Sequence, residues 1–208
     1  MRVALLSAGP SLGLYEDHRG TYDLVVAINT SAMKYPCDWW CFKDQPFMRH
    51  VGEGRRYGLP AEPRPTGLCI LGKRIENEYR AWVRVDENGV DEWKIYPFDP
   101  DVVAWANTCQ IRNMADWEFN GFTGHGQKSH DMWKKLTIGM ALMLCYQLGA
   151  SSIDCFGVDM DGIEDYAGRT YGNRTDERWE MERPIFEHVK GWLEERDITV
   201  TRHLPVMA

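Results

Sequence analysis

An apolar run of strand length, Arg2 to Leu6, breaks within the first dozen residues into a small turn, Ser7-Ala8-Gly9-Pro10-Ser11. A continuous apolar run is how a strand buried on both faces of a parallel sheet reads. Ala8 and Gly9 let main chain approach a ligand or another loop closely, and Pro10 fixes the turn. Ser11 is placed to cap a helix whose free N–H groups would meet a phosphate. An ordinary strand-to-helix turn fits the same residues, because a single glycine says less than a full GxGxxG pattern.

Further runs repeat the theme. Tyr22 to Ile28 ends in Asn29-Thr30-Ser31, and Trp39 to Phe42 ends in Lys43-Asp44. Ser152 to Phe156 leads into Gly157-Val158-Asp159-Met160-Asp161-Gly162. Each predicts a strand with polar groups at its carboxyl end, the edge where open α/β sheets bind ligands. Leu68 to Leu71 and Ile198 to Thr201 are expected to be strands as well. The segment from Asp131 to Leu148 has helical spacing and ends at Gly149, and a second helix is expected after Thr175 or Asp176, with Pro184 starting or kinking it. Asn88-Gly89, between two β-rich runs, signals a hairpin, so residues 76–98 are expected to leave the main sheet as an antiparallel excursion. The Gly-rich stretch 113–130 is expected to be a loop, either plain or a lid.

The expected fold is therefore α/β: a Rossmann-like, open, mostly parallel sheet with helices on both faces. The 208 residues suffice for one domain with a sizeable core, or one carrying an insertion, and a single domain spanning 1–208 is expected. With 24 basic against 31 acidic side chains and a net charge of −7, the chain lacks the one-sided basicity of a sequence-independent nucleic-acid binder. Six cysteines without CxxC pairs read as reduced thiols, and the longest apolar stretch, Leu136 to Leu148, is too short for a bilayer. With no charged, apolar and cleavable leader in view, the expectation is a cytoplasmic protein without a transmembrane segment.

Several groups are candidates for chemistry. Asp159 and Asp161 form a DxD pair after a strand, where two carboxylates suit Mg²⁺ or Mn²⁺ held against a nucleotide diphosphate; a turn that merely uses aspartates fits equally. Tyr166, Arg169, Tyr171, Asn173 and Arg174 form a polar loop whose tyrosines and arginines offer donors for a departing phosphate, or make a solvated loop. His125 and His130 are candidates for proton transfer or a phosphate contact, with a surface role as the alternative.

The order of Ser7 to Leu12, Ala27 to Thr30, Leu136 to Ala141 and Leu148 to Met160 resembles that of bacterial CMP-sialic-acid-dependent sialyltransferases and motility-accessory-factor glycosyltransferases. The Gly-Pro-Ser-Leu opening and the late Gly-x-Asp loop also resemble the archaeal 6-hydroxymethylpterin diphosphokinases. The resemblance spans most of the chain at low identity and skips residues 50–115. It implies a nucleotide over the carboxyl ends of the strands. Ser7, Ala8, Gly9 and Ser11 would sit at the donor phosphate and ribose, with Asn29 and Asp44 also on the donor. Thr137 and Gly139 would flank the nucleotide, Gly157 and Asp159 would lie under its base or ribose, and Tyr166 would face the leaving phosphate.

This chain departs from the sialyltransferases at Ser7-Ala8, at Ile138 and at Asp161, and has no histidine between Asn173 and Arg178, where their catalytic one falls. The expectation is then a nucleotide-dependent transferase, most readily a glycosyltransferase using a nucleotide-sugar donor and an unidentified acceptor. Asp161, Tyr166, His130 and Arg174 are the candidate catalytic groups. A metal-dependent pyrophosphokinase acting on a pterin-like alcohol, and a nucleotide-binding protein without catalysis, are the alternatives.

Overall fold

The computed structural model describes residues 1–43, 59–70, 78–84, 91–97, 100–114, 117, 119, 132–170, 172 and 174–205. Asp44, Tyr171, Asn173 and the 121–130 segment with His125 and His130 lie outside the described residues, as do the roles expected of them.

Seven strands form one parallel sheet: β1 (Arg2–Leu6), β2 (Leu24–Ile28), β3 (Trp39–Cys41), β4 (Gly67–Ile70), β7 (Gln110–Asn113), β8 (Ser152–Phe156) and β9 (Thr199–His203). Their spatial order is β7-β4-β3-β2-β1-β8-β9. The chain steps outward from β1 through β2, β3 and β4 on one side, then crosses to β8 and β9 on the other. The strand order thus reverses between β1 and β8, and their diverging connections open a crevice at the carboxyl edge. β5 (Glu78–Arg84) and β6 (Asp91–Pro97) pair with each other, antiparallel, in a separate two-stranded sheet.

β1 reads as a continuous apolar run because it has no wet face. Val3, Ala4, Leu5 and Leu6 are fully buried. Val3 and Leu5 belong to one core, Ala4 and Leu6 to a second on the opposite face, as strand alternation requires. Burying a leucine side chain contributes roughly 1.5–3 kcal/mol, so this central strand anchors both layers.

One layer is built by α3 (Met132–Lys135), α4 (Thr137–Gln147) and α5 (Asp176–Glu194). α4 is buried continuously from Ile138 to Cys145, lying against β1, β2, β3 and α5. The other layer holds a 3₁₀ helix (Pro10–His18), α1 (Ser31–Lys34) and α2 (Pro100–Thr108). Helices therefore cover both faces.

The helix expected over 131–148 is broken in two. Leu136 is extended (φ −116°, ψ 141°), and the Lys135 carbonyl before it accepts from Lys43 Nζ at 3.0 Å. Gly139 lets the first turn of α4 lie directly on the Trp133 carbonyl, with no room for a Cβ. The break exposes the start of α4 at the carboxyl edge, where its amide ends carry a partial positive charge. Pro184 sits inside α5 rather than at its start.

All six cysteines are free, five of them buried. Burial pushes the thiols of Cys41, Cys145 and Cys155 up, the last to about 12, which suits packing rather than reactivity. Among the described residues no helix is long and apolar enough to cross a membrane.

Candidate functional site

The loops after β1 and β8 are fastened to each other backbone to backbone. Ser7 N–H donates to Phe156 O at 2.8 Å, and Gly9 N–H to Gly157 O at 2.8 Å. Gly157 N–H in turn donates to Ser11 Oγ at 3.0 Å, and Ser11 N–H donates to both oxygens of Asp159, at 3.3 and 3.1 Å. Gly157 holds a left-handed conformation (φ +72°) pressed on the Ser7 carbonyl, and Gly9 leaves no room for a Cβ beside Asp159. Only glycine meets both demands, the first through backbone freedom and the second through close approach.

Ser11 therefore does not cap the helix that follows. Gly9 occupies the cap position of the 3₁₀ helix, no side chain of its own closes that end, and the Asp159 carboxylate supplies the acceptor from across the crevice. The Ser11 amide, one of the N–H groups at this helix start, is spent inside the protein.

Asp159 is 8% exposed. Burial pushes its carboxyl above the ordinary value of 3.8; the bonds from Ser11 pull it down, nearby Asp161 pushes it up and Arg202 pulls it down. Arg202 also holds the backbone beneath, donating to the carbonyls of Val158 and Asp159 at 3.0 and 2.8 Å. Arg183 donates twice to the Met160 carbonyl, at 3.1 and 2.9 Å.

Beside these loops lies a cavity of about 300 Å³, the lower end of the range for small-molecule sites. Ser7, Ala8 and Gly9 form one wall, and Gly157 to Asp161 form another. Asn29 continues the floor from the end of β2, and Leu136, Thr137 and Ile138 bring the start of α4. Two residues of the lining, Asn29 (φ 52°) and Met160 (φ 53°), are non-glycine residues in the left-handed region, a conformation that costs roughly 1–2 kcal/mol. Asn29 is fixed there from both sides: its N–H donates to Cys41 O and its carbonyl accepts Trp40 Nε1, each at 2.9 Å.

The charge around the cavity is mixed. Lys43, Lys135, Arg174 and Arg178 face Asp159, Asp161 and Glu182. Arg178 Nε donates to Glu182 Oε1 at 2.6 Å. Arg174 Nη1 donates to the Glu164 carbonyl, and both arginines lie within 6 Å of the Trp179 ring, whose Nε1 donates to Gly162 O at 3.0 Å. The start of α4 carries no side-chain cap and lies in the same lining as Lys43 and Lys135. An open helix end beside two lysines favours an anion.

The structure thus gathers Ser7, Ala8, Gly9, Asn29, Thr137, Gly157, Asp159, Asp161 and Arg174 around one cavity. Ser11, Gly139 and Tyr166 do not line it. Ser11 lies behind Asp159 and Gly139 against Trp133. Tyr166 is tied instead to the loops after β1 and β2: its N–H donates to Ala8 O at 3.1 Å, and its hydroxyl donates to Thr30 O at 3.0 Å. Lys43, Lys135, Arg178 and Glu182 were not singled out from sequence as site residues. Lys43 had a readable signal, since it directly follows a strand; the other three are placed only by how α3, α4 and α5 pack.

For a divalent ion, Asp161 and Glu182 are the cavity carboxylates not already committed to a main-chain amide, whereas Asp159 has both oxygens on Ser11. Among the described residues no group of three or more His, Cys, Asp or Glu gathers as a metal cluster. This donor set fits an ion that completes its shell with phosphate and water, as Mg²⁺ does, better than one caged by protein alone.

Comparisons of the chain with protein-family models, with curated proteins and with solved structures returned no match.

Proposed function

We propose that the chain is a nucleotide-dependent transferase, most readily a glycosyltransferase, that holds a nucleotide-activated donor in the cavity between the β1 and β8 loops. One observation carries this reading: the uncapped start of α4 lies with Lys43 and Lys135 in a cavity at the point where the strand order reverses. Such a place suits a phosphate group with a polar, neutral body attached. The resemblance of the β1, β2, α4 and β8 motifs to nucleotide-sugar transferases points the same way.

In this reading the first amides of α4 and the two lysines take the phosphates. Asn29 and the glycine loops line the path of the ribose or base, with Asp159 as the brace that keeps those loops together. Asp161 is the carboxylate open to an acceptor hydroxyl and suited to accept its proton, whereas Glu182 is held by Arg178. Mg²⁺ or Mn²⁺, entering with the nucleotide on Asp161, would offset phosphate charge.

The test is a thermal-shift panel of CMP, CDP, UDP, GDP and ATP, each with and without Mg²⁺. A ligand present at about 100 times its Kd stabilises the folded state by roughly 2.7 kcal/mol, well within such a measurement. The expected result is stabilisation by at least one nucleotide, lost in Lys43→Ala/Lys135→Ala. No stabilisation by any of them sinks the reading. Asp161, a cavity carboxylate open to a cation, also favours a second reading, pyrophosphate transfer from ATP, which is distinguished by selective ATP binding that requires Mg²⁺ and by release of AMP.

A further inference from the structure

A row of alternating cations and tyrosines lies outside the cavity lining, beside the loops after β1 and β2. Arg19 Cζ lies 5.7 Å from the centre of the Tyr35 ring, and Lys34 Nζ lies 5.1 Å from the same ring. Lys34 Nζ is also 5.2 Å from the Tyr166 ring, over which Arg169 Cζ lies at 5.7 Å. Each neighbouring pair of cations thus shares one ring.

The row is joined to the cavity wall. Tyr166 N–H donates to the carbonyl of Ala8, a cavity residue, and Tyr166 OH donates to Thr30 O, next to Asn29. The loop carrying Tyr166 and Arg169 is held stiffly: Glu164 and Thr170 form an isolated bridge, and the buried Asp165 accepts from Ala167 N, Arg169 N and Arg169 Nε at 2.8, 3.0 and 2.9 Å. Arg19 and Arg169 have acidic neighbours in Glu16 and Asp165. Lys34 is exposed, and among the described residues no carboxylate pairs with it. Exposed cation–ring contacts contribute only about 0.5–1 kcal/mol each, so what the row mainly supplies is positive charge at fixed positions.

The geometry points to this ledge as the seat of a phosphate on the second substrate: the acceptor is a phosphate-bearing molecule whose anionic end rests on Lys34 between Arg19 and Arg169. It rests on the reading of the cavity as the donor site, because the Tyr166–Ala8 link is what makes the ledge and the cavity parts of one ridge. A phosphate suits the ledge better than nucleobases do. Tyr35 is 2% exposed, and Lys34 and Arg169 both lie over Tyr166, so neither ring offers a free stacking platform.

The test is titration calorimetry of the full chain with inorganic tripolyphosphate, which can enter both cavity and ledge. Lys43→Ala/Lys135→Ala should remove one binding event and leave the other. Lys34→Glu should weaken the remaining event about tenfold, and the milder Lys34→Gln about threefold, by removing or reversing one point charge. Both Lys34 variants should keep the wild-type melting temperature and nucleotide affinity. Tripolyphosphate binding unchanged in both Lys34 variants, or abolished by the cavity variant alone, overturns the ledge. Loss of all nucleotide binding with the Lys34-dependent event intact overturns the donor reading instead and leaves the ledge as an anion site. Tighter Lys34-dependent binding of an oligothymidylate than of tripolyphosphate would replace the phosphorylated acceptor by single-stranded nucleic acid.

Discussion

The carboxylate of Asp159 occupies the space a Cβ on Gly9 would need, so the loop after β8 closes over the loop after β1 only because position 9 has no side chain. The two residues are 150 positions apart in sequence, yet each makes sense only with the other. Gly9→Ala should therefore destabilise the fold by about 1–3 kcal/mol, the usual cost of overpacking. The added carbon would also lie 2.6 Å from the Gly157 carbonyl, which cannot swing aside as a side chain can. Gly9→Val should cost more. Denaturant midpoints check this; a Gly9→Ala protein as stable as the parent would mean that Asp159 moves freely. The clash is internal, so weakened nucleotide binding in these variants would follow from a displaced loop.

Asp159 also predicts a pH dependence. Burial raises its carboxyl above 3.8 in the folded state, so the folded protein holds the proton more tightly than the unfolded chain. The contribution of this group to stability is then fully present below the unfolded value and is lost as pH rises through the folded one. Asp159→Asn, which cannot ionise, lacks this decline. The stability of Asp159→Asn relative to the parent should rise as pH is increased upward from about 3.8. A difference that falls with pH over that window would show that the Ser11 bonds, not burial, dominate.

Tyr166 separates a structural role from the one implied by resemblance. Its hydroxyl donates to Thr30 O and receives Arg169 Nη2 at 3.5 Å, and it lies outside the cavity. Tyr166→Phe should cost about 1 kcal/mol of stability, the net worth of one hydrogen bond, and leave nucleotide affinity unchanged. Thr30 O would still accept Met33 N–H at 3.0 Å, which keeps the cost small. A fall in nucleotide affinity without loss of stability would move the phenol to the donor and contradict this placement.

The fold was legible where burial writes itself into sequence. β1, β2, β3 and β8 are apolar because both faces are covered, and their polar ends mark the carboxyl edge. β2 starts at Leu24 rather than Tyr22 because Asp23 turns to the start of β1, exchanging bonds with Arg2. β7 carried no such signal: Gln110-Ile111-Arg112-Asn113 is an exposed edge strand without an apolar run. The break at Leu136 is hidden because the apolar spacing continues across it, while the carbonyl at the break is taken by Lys43 from the loop after β3. Of the site, sequence could place the loops but not say which side chains face the cavity. Nor does the sequence show that Asp159 and Ser11, both candidate ligand groups, are bonded to each other.

The DxD pair divides on the same ground, and metal binding tests the division. Asp159→Asn alters a bonded brace and should lower stability, whereas Asp161 is exposed and its carboxylate lines the cavity, so Asp161→Asn should fold as the parent does. If an ion enters with the nucleotide, Asp161→Asn should remove the enhancement of nucleotide binding by Mg²⁺, with a smaller effect from Glu182→Gln because that carboxylate is already paired with Arg178. Calorimetry of the best-binding nucleotide in EDTA and in Mg²⁺ measures the enhancement directly. Equal affinities in the two buffers for the parent protein would reject the ion and leave Asp161 as a candidate proton acceptor. Enhancement that survives Asp161→Asn but disappears in Glu182→Gln would move the ion to α5, where the Arg178 pair would have to open to admit it.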